Sequence, residues 1–186
     1  MRTYLLPQEG QFYKANLHCH STVSDGTLSP QELKEAYKAK GYSVLAITDH
    51  EWMQAHPELN DPDFLTITSY EMTLRDGVKT TPDNRIVHMN FYAKDPDCTE
   101  QIAYDPKWVV KYCHNLTEEQ LNRQEPAAEP RVFGPEFVNR VVRKETKRAF
   151  WSVTIIRAGA LRAMRTTFTT MDSSLWKCII TPALWM

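Results

Sequence analysis

The sequence lacks several features that would assign it to particular protein classes. It has no run of about 18 apolar residues, so no membrane-spanning helix is predicted. Residues 1–13 contain no long apolar stretch after a basic start, so we expect no secretory signal. The formal charge is only −1, which gives the chain no general attraction for nucleic acid or for an anionic membrane. With 186 residues, 42% of them hydrophobic, the chain is expected to form one globular domain.

Cysteine is also sparse, and its spacing excludes the usual cysteine-based sites. Cys19, Cys98, Cys113 and Cys178 include no CxxC pair and no regular spacing. We therefore expect reduced thiols in a cytoplasmic protein, without a disulfide framework or a zinc finger.

The first fifty residues predict a strand, a loop, a helix and a second strand. Ala15–His20 reads as a short strand. Ser29 can cap a helix in which Glu32 completes a capping box, and Gly41 is placed to end it. Residues 43–48 (SVLAIT) form a compact apolar run, which is typical of a buried parallel strand. This order opens a βα repeat and predicts an α/β protein.

Later segments extend the same pattern. Residues 64–68 and 86–92 are β-rich runs, and the polar residues 75–85 between them predict a loop. A helix is expected near residues 117–123, and an amphipathic helix at Pro135–Lys147.

Histidines and carboxylates collect at or near the ends of these strands. Residues two apart on a strand point the same way, so the imidazoles of His18 and His20 can meet one metal ion. The carboxyl ends of strands are where functional groups gather in barrels and open α/β folds. The candidate metal ligands are His18, His20, Asp25, His50, Glu71 and His88.

This ligand set suits divalent ions and hydrolytic chemistry. Imidazoles combined with carboxylates favour Zn, Mn or Fe over calcium. A bridging carboxylate such as Glu71 could hold two ions about 3.5–4 Å apart, which activate water and clamp phosphate oxygens. An isolated HxH pair is often a plain surface or core feature, so the specific signal is the joint order of all these groups. No side-chain nucleophile is required.

At this point the sequence resembles a known family. Residues 16–21 (NLHCHS) with Asp25-Gly26, followed by residues 47–50 (ITDH), resemble the first two motifs of the PHP (polymerase and histidinol phosphatase) family. Glu71 and His88 fall where that family has its next two ligands. The resemblance implies a distorted (βα)7 TIM-like barrel with two or three metal ions, here incomplete at the C-terminus.

The resemblance also implies which ligands would bind each metal ion. His18, His20 and Glu71 would serve one metal, and Glu71 with His88 a second. Asp25 and His50 would serve the third.

The expected function is hydrolysis of phosphate esters by metal-activated water, with a small phosphomonoester or a nucleotide as substrate. Two alternatives stay open. The chain could be a non-catalytic PHP remnant, or a PHP module that acts with a DNA polymerase or exonuclease on nucleic acid, although it has no basic face for that role.

The remaining candidates have structural interpretations. His56 and His114 are expected at the surface, and Trp52 in packing. Cys19 is expected to be a small buried residue, since no partner is evident that would activate its thiol. Three cations that could contact phosphate are more simply assigned to a solvated loop: Arg75, Lys79 and Arg85.

The last part of the chain departs from the family. Residues 1–148 are assigned to the PHP domain, and residues 149–186 read as an aberrant tail. The family has an Asn-His-Pro motif here, whereas this chain has no histidine after His114. Residues 155–161 (IIRAGAL) can be encoded by ATC ATC CGG GCT GGA GCC TTG, and starting one base earlier gives Asn-His-Pro-Gly-Trp-Ser-Leu.

We therefore hypothesise a change of reading frame near residues 143–148; the alternative is a genuine divergent segment. A chain without the later ligands is expected to be weakly stable or inactive, because its barrel and its metal site are both incomplete.

Overall fold

The computed structural model describes residues 10–76, 85–98, 100–101, 103–122, 126, 130–147 and 150–155. Within these residues, each helix is too short or too polar to cross a membrane. The elements, in chain order, are β1 (Ala15–Cys19), α1 (Pro30–Ala39), β2 (Val44–Ile47), a 3-10 turn (Pro57–Leu59), β3 (Leu65–Asp76), β4 (Arg85–Ala93), α2 (Pro106–Tyr112), α3 (Glu118–Leu121), α4 (Pro135–Lys147) and β5 (Phe150–Ile155).

The five strands form one sheet whose spatial order follows the chain, β1-β2-β3-β4-β5. The pairs β1–β2 and β2–β3 are parallel, and β3–β4 and β4–β5 are antiparallel. The sheet curls and brings β4 close to β1. The Tyr92 hydroxyl on β4 donates a hydrogen bond to the Leu17 carbonyl on β1 at 2.7 Å. The fold is therefore α/β with the strands arranged as an incomplete TIM-like barrel, which confirms the fold class predicted from the sequence.

The predicted helix start is present at α1. The Glu32 amide donates to the Ser29 hydroxyl at 3.3 Å, and the Glu32 carboxylate accepts from the Ser29 amide at 2.8 Å. Gly41, just after the helix, has a φ of +76°, a conformation that favours glycine. Leu33 packs from α1 onto Leu45 of β2, so the helix covers one face of the parallel strands.

The largest hydrophobic cluster lies where α4 covers β3 and β4. This helix has the bounds predicted from its apolar periodicity, Pro135–Lys147. Its apolar face contacts the buried side chains of both strands. The members on the strands are Tyr70, Met72, Leu74, Val87, Met89 and Phe91, and those on the helix are Phe137, Val138, Val141 and Val142.

Some element predictions were wrong. Strand β3 runs to Asp76 and β4 begins at Arg85, so Arg75 and Arg85 lie on strands and not in a loop. The helix α2 was missed, because Pro106–Tyr112 is short and lies in a polar stretch. The third helix is limited to Glu118–Leu121, with Thr117 as its N-cap. Lys79 lies outside the described residues.

Candidate metal centre

The curl of the sheet brings His18 on β1, and His20 directly after β1, to a buried carboxylate on β3. The side chain of Glu71 is only 3% exposed. Its Oε1 lies 3.9 Å from His18 Nε2, and its Oε2 lies 3.2 Å from His20 Nε2. Both imidazoles therefore point to the same side of the chain, as their spacing on the strand predicted.

Histidines after β2 and on β4 approach the same carboxylate. His50 follows β2, and its Nδ1 lies 2.9 Å from Glu71 Oε2. His88 on β4 places its Nδ1 3.5 Å from Glu71 Oε1. This happens because Thr73 is the cross-strand partner of His88, which puts Glu71 two residues away on the same face of the sheet. Glu71 is therefore surrounded by all four candidate imidazoles.

Asp25 reaches the cluster from the loop after β1. Its Oδ1 lies 2.7 Å from His20 Nδ1, and its Oδ2 lies 3.6 Å from His50 Nε2. The loop turns tightly at Gly26, where a Cβ atom would lie 2.2 Å from the His20 carbonyl oxygen. Only glycine fits at this position without moving the backbone.

Hydrogen bonds to the Asp49 side chain hold this loop in place. The carboxylate accepts hydrogen bonds from the Ser21 amide at 2.7 Å, the Ser21 hydroxyl at 2.6 Å and the Ser24 hydroxyl at 2.6 Å. Both Asp49 and Ser21 are buried. Asp49 therefore holds the loop that carries Asp25 and is itself outside the cluster of ligands.

The cluster fits divalent metal ions. Two atoms that each lie about 2.1 Å from one ion are at most about 4.2 Å apart, and the contacts of Glu71 with the four imidazoles span 2.9–3.9 Å. The Nδ1 atoms of His50 and His88 are buried and lack hydrogen-bond geometry, although they face Glu71 oxygens. Three sets have ligand atoms within 4.8 Å of one another: His18, His20 and Glu71; His20, Asp25 and His50; and His50, Glu71 and His88.

The pKa values of the clustered side chains depend on the charges of their neighbours. Burial opposes a positive charge on His20, but the Asp25 and Glu71 carboxylates outweigh it and raise its pKa to about 10. Burial also opposes the Glu71 carboxylate, yet the surrounding imidazoles hold its pKa well below the usual value. Burial lowers the pKa of His18 to about 4. The cluster thus combines a carboxylate, an imidazolium and a neutral imidazole.

A hydroxyl group behind His18 sets the orientation of that ring. The Thr48 hydroxyl donates to the Cys19 carbonyl at 3.2 Å, so it accepts the 2.7 Å hydrogen bond from His18 Nδ1. The Nε2 lone pair is then directed toward Glu71. The Asn90 amide nitrogen lies 3.0 Å from the same Nδ1.

The other sequence-based assignments have mixed outcomes. The surface assignment of His56 is wrong, because the residue is 5% exposed and its Nδ1 lies 3.0 Å from Glu58. His114 is exposed, as predicted. Trp52 is fully buried and packs against Tyr104, which confirms a packing role.

The cysteines behave as structural residues. Burial, together with the Asp49 charge, raises the pKa of the Cys19 thiol to about 12, in line with the prediction that it is not a nucleophile. Cys19, Cys98 and Cys113 form no disulfide within the described residues, and Cys178 lies outside them.

Sequence analysis missed two neighbours of the site. Tyr112 on α2 contacts the His50 ring, with centroids 4.6 Å apart. Glu51 is fully buried and pairs with Arg131 at 2.6 Å. Glu51 directly follows His50 in the sequence, which could have indicated that it lies close to the site. The sequence around Arg131 has no period or motif that could have indicated its partner.

Short stretches of this chain match curated proteins. The chain is 58% identical over 38 residues to a 5'-3' exoribonuclease of Haemophilus influenzae, which covers 20% of this chain and 14% of the relative. It is 57% identical over 37 residues to the DNA polymerase/3'-5' exonuclease PolX of Bacillus subtilis, covering 20% of this chain and 6% of the relative. The matches therefore span only a small part of each curated relative.

Two further comparisons cover more of the chain. A solved structure from Bifidobacterium adolescentis, of a protein inferred to be a metal-dependent phosphoesterase, aligns with a TM-score of 0.44 and 14% identity, covering 88% of this chain and 77% of the other. The family model of the PHP domain matches residues 16–124, more than half of the sequence and the segment that contains every candidate ligand. The chain therefore belongs to the PHP family.

Proposed function

We propose that this chain binds divalent metal ions and hydrolyses phosphate esters with metal-activated water. The observation that carries the proposal is the arrangement of four imidazoles around the buried Glu71 carboxylate, at 2.9–3.9 Å, in a member of the PHP family. The proposed ligands are His18, His20, Asp25, His50, Glu71 and His88.

The three sets of ligand atoms support a particular assignment. His18, His20 and Glu71 would hold the first ion, as the family resemblance implied. Glu71 and His88 would hold a second ion. Asp25 and His50 would hold a third. The donor set suits Zn, Mn or Fe.

The chain's own residues prepare the site for this chemistry. When bound, the ions lower the pKa of water and stabilise the charge that develops on phosphoryl oxygens. Glu71 supplies a buried negative charge that favours cations, and Asp25 orients His20 through its Nδ1. The Cys19 thiol remains protonated at neutral pH, so it does not compete as a nucleophile.

The proposed substrate is a small phosphate ester or a nucleotide, and the proposed location is the cytoplasm. A second candidate is the end of a nucleic acid strand. It is favoured by the names of the two curated relatives, both of which are exonucleases. The negligible net charge of −1 favours the small substrate, because a strand would have to be held by local contacts alone.

Metal-dependent hydrolysis by the purified chain tests the proposal. The protein is supplied with Mn²⁺, Zn²⁺ or Fe²⁺ and assayed on a phosphomonoester, on a nucleotide and on single-stranded RNA and DNA. We expect turnover that EDTA abolishes and that His50→Ala reduces at least about 100-fold, while His114→Ala, at an exposed histidine, retains it. Wild-type protein that binds none of these metals, or that binds them without turnover, would instead support a non-catalytic remnant, the outcome expected if the missing later ligands leave the metal site incomplete.

A further inference from the structure

Behind the cluster, the backbone that carries His50 is joined to the backbone that carries Glu71. The Glu71 amide donates to the Asp49 carbonyl at 3.0 Å, and the Glu51 amide donates to the Glu71 carbonyl at 2.7 Å. His50 and Glu71 thus form an isolated parallel bridge beyond the end of β2. The position of Glu51 therefore determines how the two candidate ligands face each other.

The chain takes an unusual conformation at Glu51. Its φ is +63°, in the left-handed region that residues with a Cβ rarely adopt. Ala103 has a φ of +55°, and these two are the only non-glycine residues with positive φ in the part of the chain that the structure describes. Surrounding contacts must hold such a conformation in place.

Arg131 holds both of these strained positions. Its Nη1 lies 2.6 Å from Glu51 Oε2, and its Nη2 and Nε donate to the Ala103 carbonyl at 2.6 and 3.2 Å. Nη1 also lies 3.2 Å from the Thr73 carbonyl on β3. The side chains of Arg131 and Glu51 are 4% and 0% exposed, so solvent weakens these contacts little.

Three more hydrogen bonds complete the support of the turn. The Thr73 amide donates to Glu51 Oε1 at 2.8 Å. Gln101 donates to the Glu51 carbonyl at 2.7 Å and accepts from the Met53 amide at 2.8 Å. Glu51 is therefore fixed at its amide, its carbonyl and both carboxylate oxygens.

From this network we infer that Arg131 is a positioning residue for the metal centre, acting through Glu51 on His50 and Glu71. The inference rests on the proposed function, and it adds a residue outside the segment 16–124 that matches the family. Arg131 is not among the candidate metal ligands. It keeps the turn in the one conformation that places the His50 ring against the Glu71 carboxylate.

The test compares Mn²⁺ binding and unfolding of the whole chain in matched variants. Arg131→Met removes the cation, Arg131→Lys retains the charge without the planar fork, and Lys107→Met removes an exposed cation on α2 as the control. The pair E51Q/R131M leaves no uncompensated buried charge, so it remains foldable if Arg131→Met does not. His50→Ala in the same series reports loss of a proposed ligand.

We expect Arg131→Met and E51Q/R131M to bind Mn²⁺ roughly 10–100-fold more weakly than wild type, as do changes to groups that orient metal ligands. Arg131→Lys should be intermediate and Lys107→Met unchanged. In the metal-free protein, the NMR signals of the His50 imidazole should move in the Arg131 variants alone.

Two results would overturn the inference in distinguishable ways. If His50→Ala loses Mn²⁺ while the folded Arg131 variants bind as wild type does, Arg131 is only a stabilising residue and the proposed function stands. If wild-type protein binds no Mn²⁺ under any condition, the proposed function and the role of Arg131 fall together.

Discussion

Asp49 holds Ser21 by two hydrogen bonds, one from the backbone amide at 2.7 Å and one from the hydroxyl at 2.6 Å. Because both residues are buried, Asp49→Ala would leave these donors without a partner and without water. We expect a loss of about 3 kcal/mol in the free energy of unfolding, measured by urea denaturation. Asp63→Ala, at an exposed aspartate, is the control and should change stability little. Equal stability of the two variants would contradict this role of Asp49.

The turn at Gly26 predicts a second effect. A Cβ atom there would lie 2.2 Å from the His20 carbonyl oxygen and 2.7 Å from the Ser21 amide nitrogen. Gly26→Ala should therefore displace the loop that carries Asp25 and weaken Mn²⁺ binding at least about tenfold. Gly41→Ala is the matched control, because its φ of +76° imposes strain away from the cluster and its Cβ would meet no atom within 4 Å. It should lose about 1 kcal/mol of stability with unchanged metal binding. Undiminished binding in Gly26→Ala would show that the loop tolerates a side chain.

Charge at His20 predicts how the stability of the metal-free protein depends on pH. The folded-state pKa of about 10 lies above the ordinary value of 6.5. The His20 contribution is therefore fully present below about pH 6.5 and disappears as the pH rises toward 10. Glu71 acts in the opposite direction, since its lowered pKa makes its contribution disappear as the pH falls below 4.5. Urea midpoints measured in EDTA from pH 7 to 10, above the range in which His18 titrates, should fall in wild type and fall less in His20→Gln. The urea midpoint of His114→Gln should change with pH as that of wild type does. A wild-type midpoint that does not change with pH would refute the raised pKa of His20.

We expect the largest loss of metal affinity when the charge of Glu71 is removed. Glu71→Gln preserves the shape of the side chain but removes the carboxylate that contacts all four imidazoles. We expect Mn²⁺ affinity to fall by more than about 100-fold, beyond the range for groups that only orient ligands. Glu58→Gln provides a control at a side chain that is 62% exposed. Isothermal titration at constant pH measures both, and near-equal affinities would exclude Glu71 as a ligand.

The reading-frame hypothesis makes a prediction about the gene. DNA sequencing of the region that encodes residues 143–148 should show an inserted or missing base relative to a frame that yields Asn-His-Pro downstream. The family match ends at residue 124, so it bears on neither outcome. Codons that exclude the Asn-His-Pro alternative would establish residues 149–186 as genuine sequence.

Local signals in the sequence predicted local structure well. Ser29 and Glu32 specify a helix start through contacts within one turn, and the apolar period of α4 fixes its bounds. The alternation around His18 and His20 predicted their common direction because the period of a strand is a local property. The convergence of Asp25, His50, Glu71 and His88 was expected from the family motifs.

Long-range partners were not predictable in this way. Arg131 lies 80 residues from Glu51, and no pattern in either segment indicates the other. The burial of His56 was missed because its partners lie farther along the chain, among them Thr66, whose hydroxyl donates to the His56 carbonyl at 2.9 Å. Such contacts follow from the path of the whole chain, which a single sequence does not specify residue by residue.

The hydrogen bond from Tyr92 to Leu17 spans 75 residues and joins β4 to β1 across the concave side of the sheet. Since β1 and β4 are separated by two other strands, the distance between His18 and His88 depends on how strongly the sheet curves. Flattening the sheet would move His18 and His88 apart without touching any ligand. Substitutions on the convex surface therefore offer a way to alter the separation of neighbouring cations, and with it the choice between a larger and a smaller ion.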